Sequence, residues 1–331
     1  MKSKVLYVLL ILLSVACTKS ATNTTSSNNN NNNSTCKQPI APSRLDSIEI
    51  FPKNYPLNTD ISDSAVDPNS PAIIAAIGSY GIHCDFGSGL YNGVPIGIPF
   101  MLVCGDQAKV PITFRANSYD GNYGDQSDSG PYPIPDNAPI EGNGTGDSHV
   151  LVCNVQNDIL YELYNASKNT GPGWSASSGA IFDLSKDYYR PDGWTSCDAA
   201  GLPILPCLVR YDEMASGKIT HAIRFTLSKS HVYNGYVNPA RHKVSGTGAQ
   251  GASLPMGGRI RLKASFDITG YSKNMQVILQ AMKTYGLILA DIGSDMYVGG
   301  APDSLWDNND LATLKAIKNT DFEVVKLGTI K

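Results

Sequence analysis

Positive charge is scarce in this 331-residue chain: 26 Lys and Arg stand against 29 Asp and Glu, for a net charge of −3 with 17% charged residues. That balance excludes a basic stripe for nucleic acid, so no nucleic-acid partner is expected. Beyond residue 17 no apolar run reaches membrane-spanning length. No Cys-x-x-Cys or Cys/His spacing suggests structural zinc. Dinucleotide and phosphate loops, a Gly-x-Ser-x-Gly elbow and a His-Glu-x-x-His pair are all missing, and no strand carries carboxylates at alternate positions. Repeats of helical or solenoid period are absent too. No motif therefore names a reaction.

What is present begins at the N-terminus. Lys2 and Lys4 precede an apolar run from Val5 to Val15, closed by Ala16-Cys17. This is the layout of a secretory signal, too short for a permanent span. A cysteine after a small residue is what a bacterial lipoprotein signal peptidase requires, although Leu13 stands one place further from Cys17 than usual. Residues 1–17 are expected to be such a signal with Cys17 as the lipid acceptor; an ordinary signal peptide is the alternative. Thr18 to Thr35 contains seven Asn, six of them in the run Asn28–Asn33, and offers no apolar surface to offset ordering. Residues 18–40 are therefore expected to form a flexible tether, and 41–331 a single β-rich domain. The expected place is the bacterial cell envelope, lipid-anchored at the outer membrane or cell surface, with the membrane as a partner through the lipid.

Export permits disulfides. With Cys17 assigned to lipid, Cys36, Cys84, Cys104, Cys153, Cys197 and Cys207 remain, and six cysteines allow fifteen connectivities. Pairs Cys197–Cys207 and Cys84–Cys104 are favoured, because each flanks a turn-rich stretch. Cys153 alternates with His149, Leu151 and Val155, which suits a buried free thiol.

Short β-type segments recur: Ile48–Phe51, Phe100–Cys104 followed by Val110–Phe114, a hairpin of His149–Val155 and Ile159–Tyr164, then Ala180–Leu184, Leu208–Tyr211, Ala222–Leu227, Arg259–Phe266, Leu287–Ala290 and Phe322–Leu327. Helices are expected at Ile73–Ser79, at Asn274–Tyr285 behind an N-cap Ser272, and at Leu311–Ile317 behind Asn308 or Asn309. Many strands and few helices predict a mainly β protein, an antiparallel β-sandwich of jelly-roll type with peripheral helices. A closed barrel is the alternative. In the loop Tyr119–Pro135, Asp120, Asn122, Asp125 and Asp128 offer oxygens of the kind calcium takes, but their spacing departs from an EF-hand. A solvated acidic loop is the favoured reading, and no cofactor or metal is expected.

Polar density peaks between Gly146 and Lys263. His149 ends an apolar strand row, where a neutral imidazole suits acid–base work, with Asp147 able to orient it. Glu162 lies among apolar neighbours, which raises a carboxyl toward general-acid duty if it is buried. Glu213 and Asp212 close a strand on opposite faces, and Arg210–Asp212 reads as an ion pair. His221 and Arg224 have opposite parity, which a strand starting after His221 would relieve. The catalytic candidates are thus His149, Glu162, Glu213, His221 and Arg224. Trp174 and Trp194 are candidate sugar platforms, as is Trp306, although packing is the commoner role. Arg241 and His242 precede a Gly/Ser-rich loop and join the substrate-binding candidates. Arg259, Arg261 and Lys263 share one strand face, which reads first as solvent-facing.

Several stretches carry a resemblance: Gly130-Pro-Tyr-Pro-Ile-Pro135, Gly193-Trp-Thr-Ser196, Asp198-Ala-Ala-Gly-Leu-Pro-Ile-Leu-Pro206, Arg261-Leu-Lys-Ala-Ser265 and Tyr285-Gly-Leu-Ile-Leu-Ala-Asp291. Together they resemble an uncharacterised family of exported bacterial proteins, often found beside polysaccharide-handling modules. The resemblance spans nearly all of residues 48–325, implies one intact domain and carries no assigned catalytic residue. Cys84, Cys104, Cys197 and Cys207 look like local additions to its pattern. The function expected is that of a surface-tethered lipoprotein acting on extracellular polysaccharide, as a glycoside hydrolase or polysaccharide lyase. A non-catalytic glycan-binding or adhesion lipoprotein is the alternative.

Overall fold

The run Val-Leu-Val-Cys at 150–153 has no polar alternation, the pattern of a strand covered on both faces. A computed structural model describes residues 36, 38–116 and 123–331, and in it all five residues of the strand Val150–Asn154 are buried. The signal segment with Cys17, residues 18–35 of the tether, and Asp120 and Asn122 of the acidic loop lie outside the described residues.

Val150–Asn154 belongs to a four-stranded sheet of order Ser178–Asp183, Ile159–Tyr164, Val150–Asn154, Phe100–Val103. Its antiparallel pairing with Ile159–Tyr164 is the expected hairpin. Leu151, Cys153, Leu160 and Phe182 turn into the main core. Val150, Val152 and Leu163 turn the other way, into a smaller core with Tyr132, Trp174 and Ala176.

A six-stranded sheet runs His83–Asp85, Tyr297–Gly299, Ile223–Leu227, Leu287–Ile292, Arg259–Leu262, Phe322–Val324. Its Phe225, Leu287 and Leu289 enter the same main core. Strands outnumber helices and fall into several sheets, as expected, but the sheets are mixed rather than antiparallel. Phe100–Val103 lies parallel to Val150–Asn154, and Ile223–Leu227 parallel to Leu287–Ile292. A parallel pair needs a long crossover. Residues 228–286, with the helix Lys273–Thr284, supply one.

The expected helices form at Ser70–Ile77, Lys273–Thr284 and Asn308–Thr313. Ser272 Oγ accepts from the Met275 N–H at 3.2 Å, while Met275, Ile278, Leu279 and Met282 bury one face. At Asn308–Thr313 the cap is Asp307 instead of Asn308 or Asn309, because its carboxylate accepts from the Asn309 and Asp310 N–H groups.

Other expectations are corrected. Ile48–Phe51 is not a strand, and Phe51 takes a left-handed φ of 61°. Phe100–Val103 and Ile112–Phe114 do not pair with each other; the second lies against Trp174–Ala176. Leu208–Tyr211 gives way to the helix Tyr211–Ser216, started by Glu213, whose Oε2 accepts from the Arg210 N–H at 2.9 Å.

Neither favoured disulfide forms. Cys104 bonds Cys36, at a sequence separation of 68 residues, and Cys84, Cys153, Cys197 and Cys207 are free thiols. Cys84 sits in the edge strand of the six-stranded sheet, and the sulfur it was expected to meet, on Cys104, is taken by Cys36. Cys197 and Cys207 are both in the main core, where Cys197 Sγ instead faces the Ser178 carbonyl at 3.8 Å. Cys153 is the buried free thiol expected.

Candidate functional site

The strand Leu287–Ile292 is apolar for four residues and then ends in Asp291 and Ile292, at a cleft of about 260 Å³. Asp291 keeps an exposed edge, yet protein surrounds its carboxyl. Burial and then the neighbouring Asp198 push its pKa up to about 7, with Arg224 pulling the other way. Its hydrogen bond comes from the Ile292 N–H at 2.7 Å. Asp147, Asp198, Ser196, Tyr164 and His242 also line the cleft.

Asp147 is exposed and its neighbour Ser148 takes a left-handed φ of 51°. That turn sends Asp147 outward and His149 inward, a strained conformation of the kind that collects at functional sites. Asp198 is bound by Arg224 in a two-point fork, Nε to Oδ2 and Nη2 to Oδ1, each at 3.1 Å. Both groups are buried. Burial alone would lower the Arg224 pKa, but Asp198 outweighs it and raises it.

His149 donates from both ring nitrogens: Nδ1 meets Glu141 Oε2 at 2.5 Å and Nε2 meets the Cys197 carbonyl at 3.0 Å. Burial works against its proton, yet the Glu141 carboxylate prevails and its pKa rises to about 9. A ring holding both protons is no base, so His149 is a structural cation behind the cleft. His242 differs. Its Nδ1 donates to the Ala199 carbonyl at 2.9 Å, a bond that does not engage Nε2, and the residue lines the cleft.

The remaining catalytic candidates are placed elsewhere. Glu162 is 0% exposed, and its Oε1 accepts from the Ile204 and Leu205 N–H groups at 2.9 and 3.0 Å. Burial raises its pKa to about 7, against the pull of those two bonds. It anchors the turn Leu205–Cys207 and reaches no substrate. Glu213 and His221 line a separate cleft of about 550 Å³. There Glu213 Oε1 takes His221 Nε2 at 2.8 Å and Arg210 Nη2 at 3.2 Å, while His221 Nδ1 meets the Ala222 carbonyl at 2.9 Å. Burial would raise the Glu213 pKa, but Arg210 and His221 together hold it below the usual carboxylate value. Neither ring nitrogen of His221 is free. The expected Arg210–Asp212 pair is present at 3.4 Å, and the strand does begin after His221, at Ile223.

Of the substrate-binding candidates, Trp174 is 1% exposed and packs the smaller core, so it is no sugar platform. Trp306 is likewise buried, with Nε1 donating to the Ala301 carbonyl at 3.0 Å. Trp194 is half-buried over the Arg190 guanidinium, 5.6 Å from its ring centre. Arg241 stacks on Tyr189 at 4.5 Å. The Gly193 N–H donates to the Arg241 carbonyl at 2.7 Å, and the Arg241 N–H to the Ala200 carbonyl at 2.9 Å. Trp194 and Arg241 therefore stand near each other, beside Thr195 and His242, which line the cleft, but neither Trp194 nor Arg241 lines it. The solvent-facing reading holds for Lys263, which is exposed just past the strand and bonds the Thr320 carbonyl, but not for Arg259 and Arg261, which reach the Pro56 carbonyl and Glu323 with the Ile61 and Ser62 carbonyls.

Neither Ser196 nor Cys197, both at the cleft, stands ready as a nucleophile. Ser196 Oγ is held by Asp198 and Leu202, and burial drives the Cys197 thiol far above its ordinary pKa. Asp128 of the acidic loop is spent on Arg190 and the Ile181 N–H. Among the described residues no group of three His, Cys, Asp or Glu side chains is arranged to hold a metal, and no helix is long and apolar enough to cross a membrane. Sequence reading passed over Asp291, Asp198 and Glu141; a lone carboxylate closing the apolar run Leu287–Ala290 was the available signal for the first. Comparison with known protein families, with curated proteins and with solved structures finds no match to this chain.

Proposed function

We propose that this chain is a surface-tethered envelope lipoprotein that hydrolyses glycosidic bonds of a neutral extracellular glycan in the Asp147–Asp291–His242 cleft. The observation that carries the reading is Asp291: a carboxyl held near pKa 7 in a cleft wall suits a general acid at neutral pH. Asp147, exposed at the same cleft, is the second carboxylate such chemistry uses, activating water or attacking the sugar. His242 Nε2 accepts a hydrogen bond from a sugar hydroxyl or from the attacking water. Trp194 and Arg241, the chain neighbours of the cleft-lining Thr195 and His242, are read as flanking the bound ring. Lyase chemistry on uronates loses support, because the buried cation Arg224 is already bound by Asp198 and the cleft wall is acidic. The two larger sheets, which share one core, are read as the layers of a sandwich-like scaffold that carries this cleft.

The test is incubation of the purified chain with a panel of neutral and uronate polysaccharides, reading reducing ends and ultraviolet absorbance together. New reducing ends from neutral glycans without absorbance support the hydrolase. Absorbance from an unsaturated sugar identifies a lyase, and retention in an affinity gel without cleavage identifies a binder; either result overturns the reading.

A further inference from the structure

The six-stranded sheet has an apolar face and a polar face. Paired residues share a face. His83 pairs with Tyr297, Asp85 with Gly299, Thr226 with Tyr297 and Thr226 with Asp291. His83, Asp85, Tyr297 and Thr226 thus stand on one side, joined by Asp291 through a register shift after Phe225 that breaks its alternation with Leu287 and Leu289, while Val298 and Phe225 enter the core on the other. Arg224, two residues before Thr226, is on the polar side and lies flat over Gly299, where an added Cβ would sit 2.9 Å from Arg224 Cγ. Asp85 is the next residue along that row.

At this edge of the sheet a second cleft, of about 430 Å³, is lined by His83, Asp85, Phe86, Tyr91, Tyr297 and Lys315. The His83 and Tyr297 rings stack face to face at 4.1 Å with 12° between planes, so each ring covers one face of the other. Burial and then Lys315 lower the His83 pKa, so its ring is neutral at pH 7. Tyr91 is 69% exposed on the short hairpin of Leu90–Tyr91 and Val94–Pro95, with Leu90 at 66%. Two large apolar side chains held in water on a hairpin tip stand out from scattered surface hydrophobics.

We propose that this cleft is a distal sugar subsite of the same enzyme, so that a neutral oligosaccharide chain runs across the strands from Tyr91 and Tyr297 to Asp291 and His242. The inference rests on the glycan-hydrolase reading. Three strand spacings separate His83 from Asp291, roughly 14 Å, which accommodates a short run of linked rings. The exposed Tyr91 ring packs the C–H face of one sugar, and Asp85 accepts from its hydroxyls. Such a chain is cut internally, not only at its ends.

The experiment compares wild type, Tyr91→Ala and the control Leu305→Ala on a neutral polysaccharide and on its di- and trisaccharides. Tyr91 and Leu305 are both well exposed, so both variants should fold. Tyr91→Ala is expected to raise KM on the long chain about tenfold and to leave the short substrates and kcat unchanged. Leu305→Ala should change neither. Equal effects on long and short substrates, no effect on either, or release of single sugars only from chain ends overturn the subsite while the hydrolase stands. If wild type neither cleaves nor is retarded by any neutral glycan, both readings fall.

Discussion

Arg224 is fastened to Asp198 at two points, each 3.1 Å, and its guanidinium is therefore unavailable to a ligand carboxylate. The consequence is selectivity by charge: with Arg224 spent on Asp198, no Lys or Arg among the described residues lines the cleft, and a uronate would meet the Asp147 carboxylate without a counter-ion. A polyuronate is expected neither to be cleaved nor to compete with a neutral glycan in an inhibition assay. Gly299→Ala, which places a methyl 2.9 Å from the Arg224 side chain, should push that fork apart and cost about 1–3 kcal/mol, read by urea melting. Wild-type stability in that variant would show that Arg224 does not need the space.

Glu141 and His149 form a pH-dependent prop behind the cleft. The folded-state His149 pKa of about 9 lies above its ordinary value of 6.5. Its contribution is therefore complete below pH 6.5 and is lost as pH climbs through about 9. Glu141→Gln should destabilise the protein by about 3–5 kcal/mol near pH 6, the usual cost of unpairing a buried ion. The gap to wild type should shrink above pH 9. Denaturant titrations at both pH values decide, and a gap independent of pH would contradict the pairing.

Cys36–Cys104 is the one disulfide among the described cysteines, and it closes a long loop. Chain-entropy reasoning puts its contribution at about 4 kcal/mol. Cys36→Ser should lower the urea midpoint accordingly, and peptide mapping under non-reducing conditions should recover Cys36 joined to Cys104. A Cys197–Cys207 peptide in that map would contradict the structure.

Local pattern reached far into this fold and less far into its site. Alternation and turns located the hairpin around Gln156–Asp158, and Ser272 with Ile278 and Met282 located the longest helix. Pairing partners were out of reach, because Val110–Phe114 looks the same whether it meets Phe100–Cys104 or the distant Trp174–Ala176. His149, Glu162 and His221 drew notice as polar groups in apolar surroundings, and each is indeed buried. What the chain could not show is that their hydrogen bonds are spent internally, on Glu141, on the Ile204 and Leu205 N–H groups, and on Glu213. Trp194, Arg241 and His242 stood out because Gly- and Pro-rich flanks marked them as loops, and of the three His242 lines the cleft. Trp174 shared that signal yet sits in a strand against Ile112, a tertiary pairing with no local trace.

The two tryptophans give opposite expectations. Trp174→Ala should cost about 3–5 kcal/mol of stability, as removal of a buried indole does. Glycan affinity of the folded fraction should stay unchanged. Trp194→Ala should fold normally and weaken glycan retention in an affinity gel about tenfold. The reverse pattern would move the binding face to the smaller core.

Asp291 carries the central claim, and its replacement tests that claim most directly. Asp291→Asn keeps the side-chain shape and the bond from the Ile292 N–H, so the fold should persist by circular dichroism and thermal melting. The account predicts that wild type releases reducing ends from a neutral glycan, with kcat falling as pH rises through about 7. In the variant the rate should drop roughly 100- to 10,000-fold, the range of a lost general acid. A folded Asp291→Asn protein that hydrolyses the same glycan at the wild-type rate would contradict it.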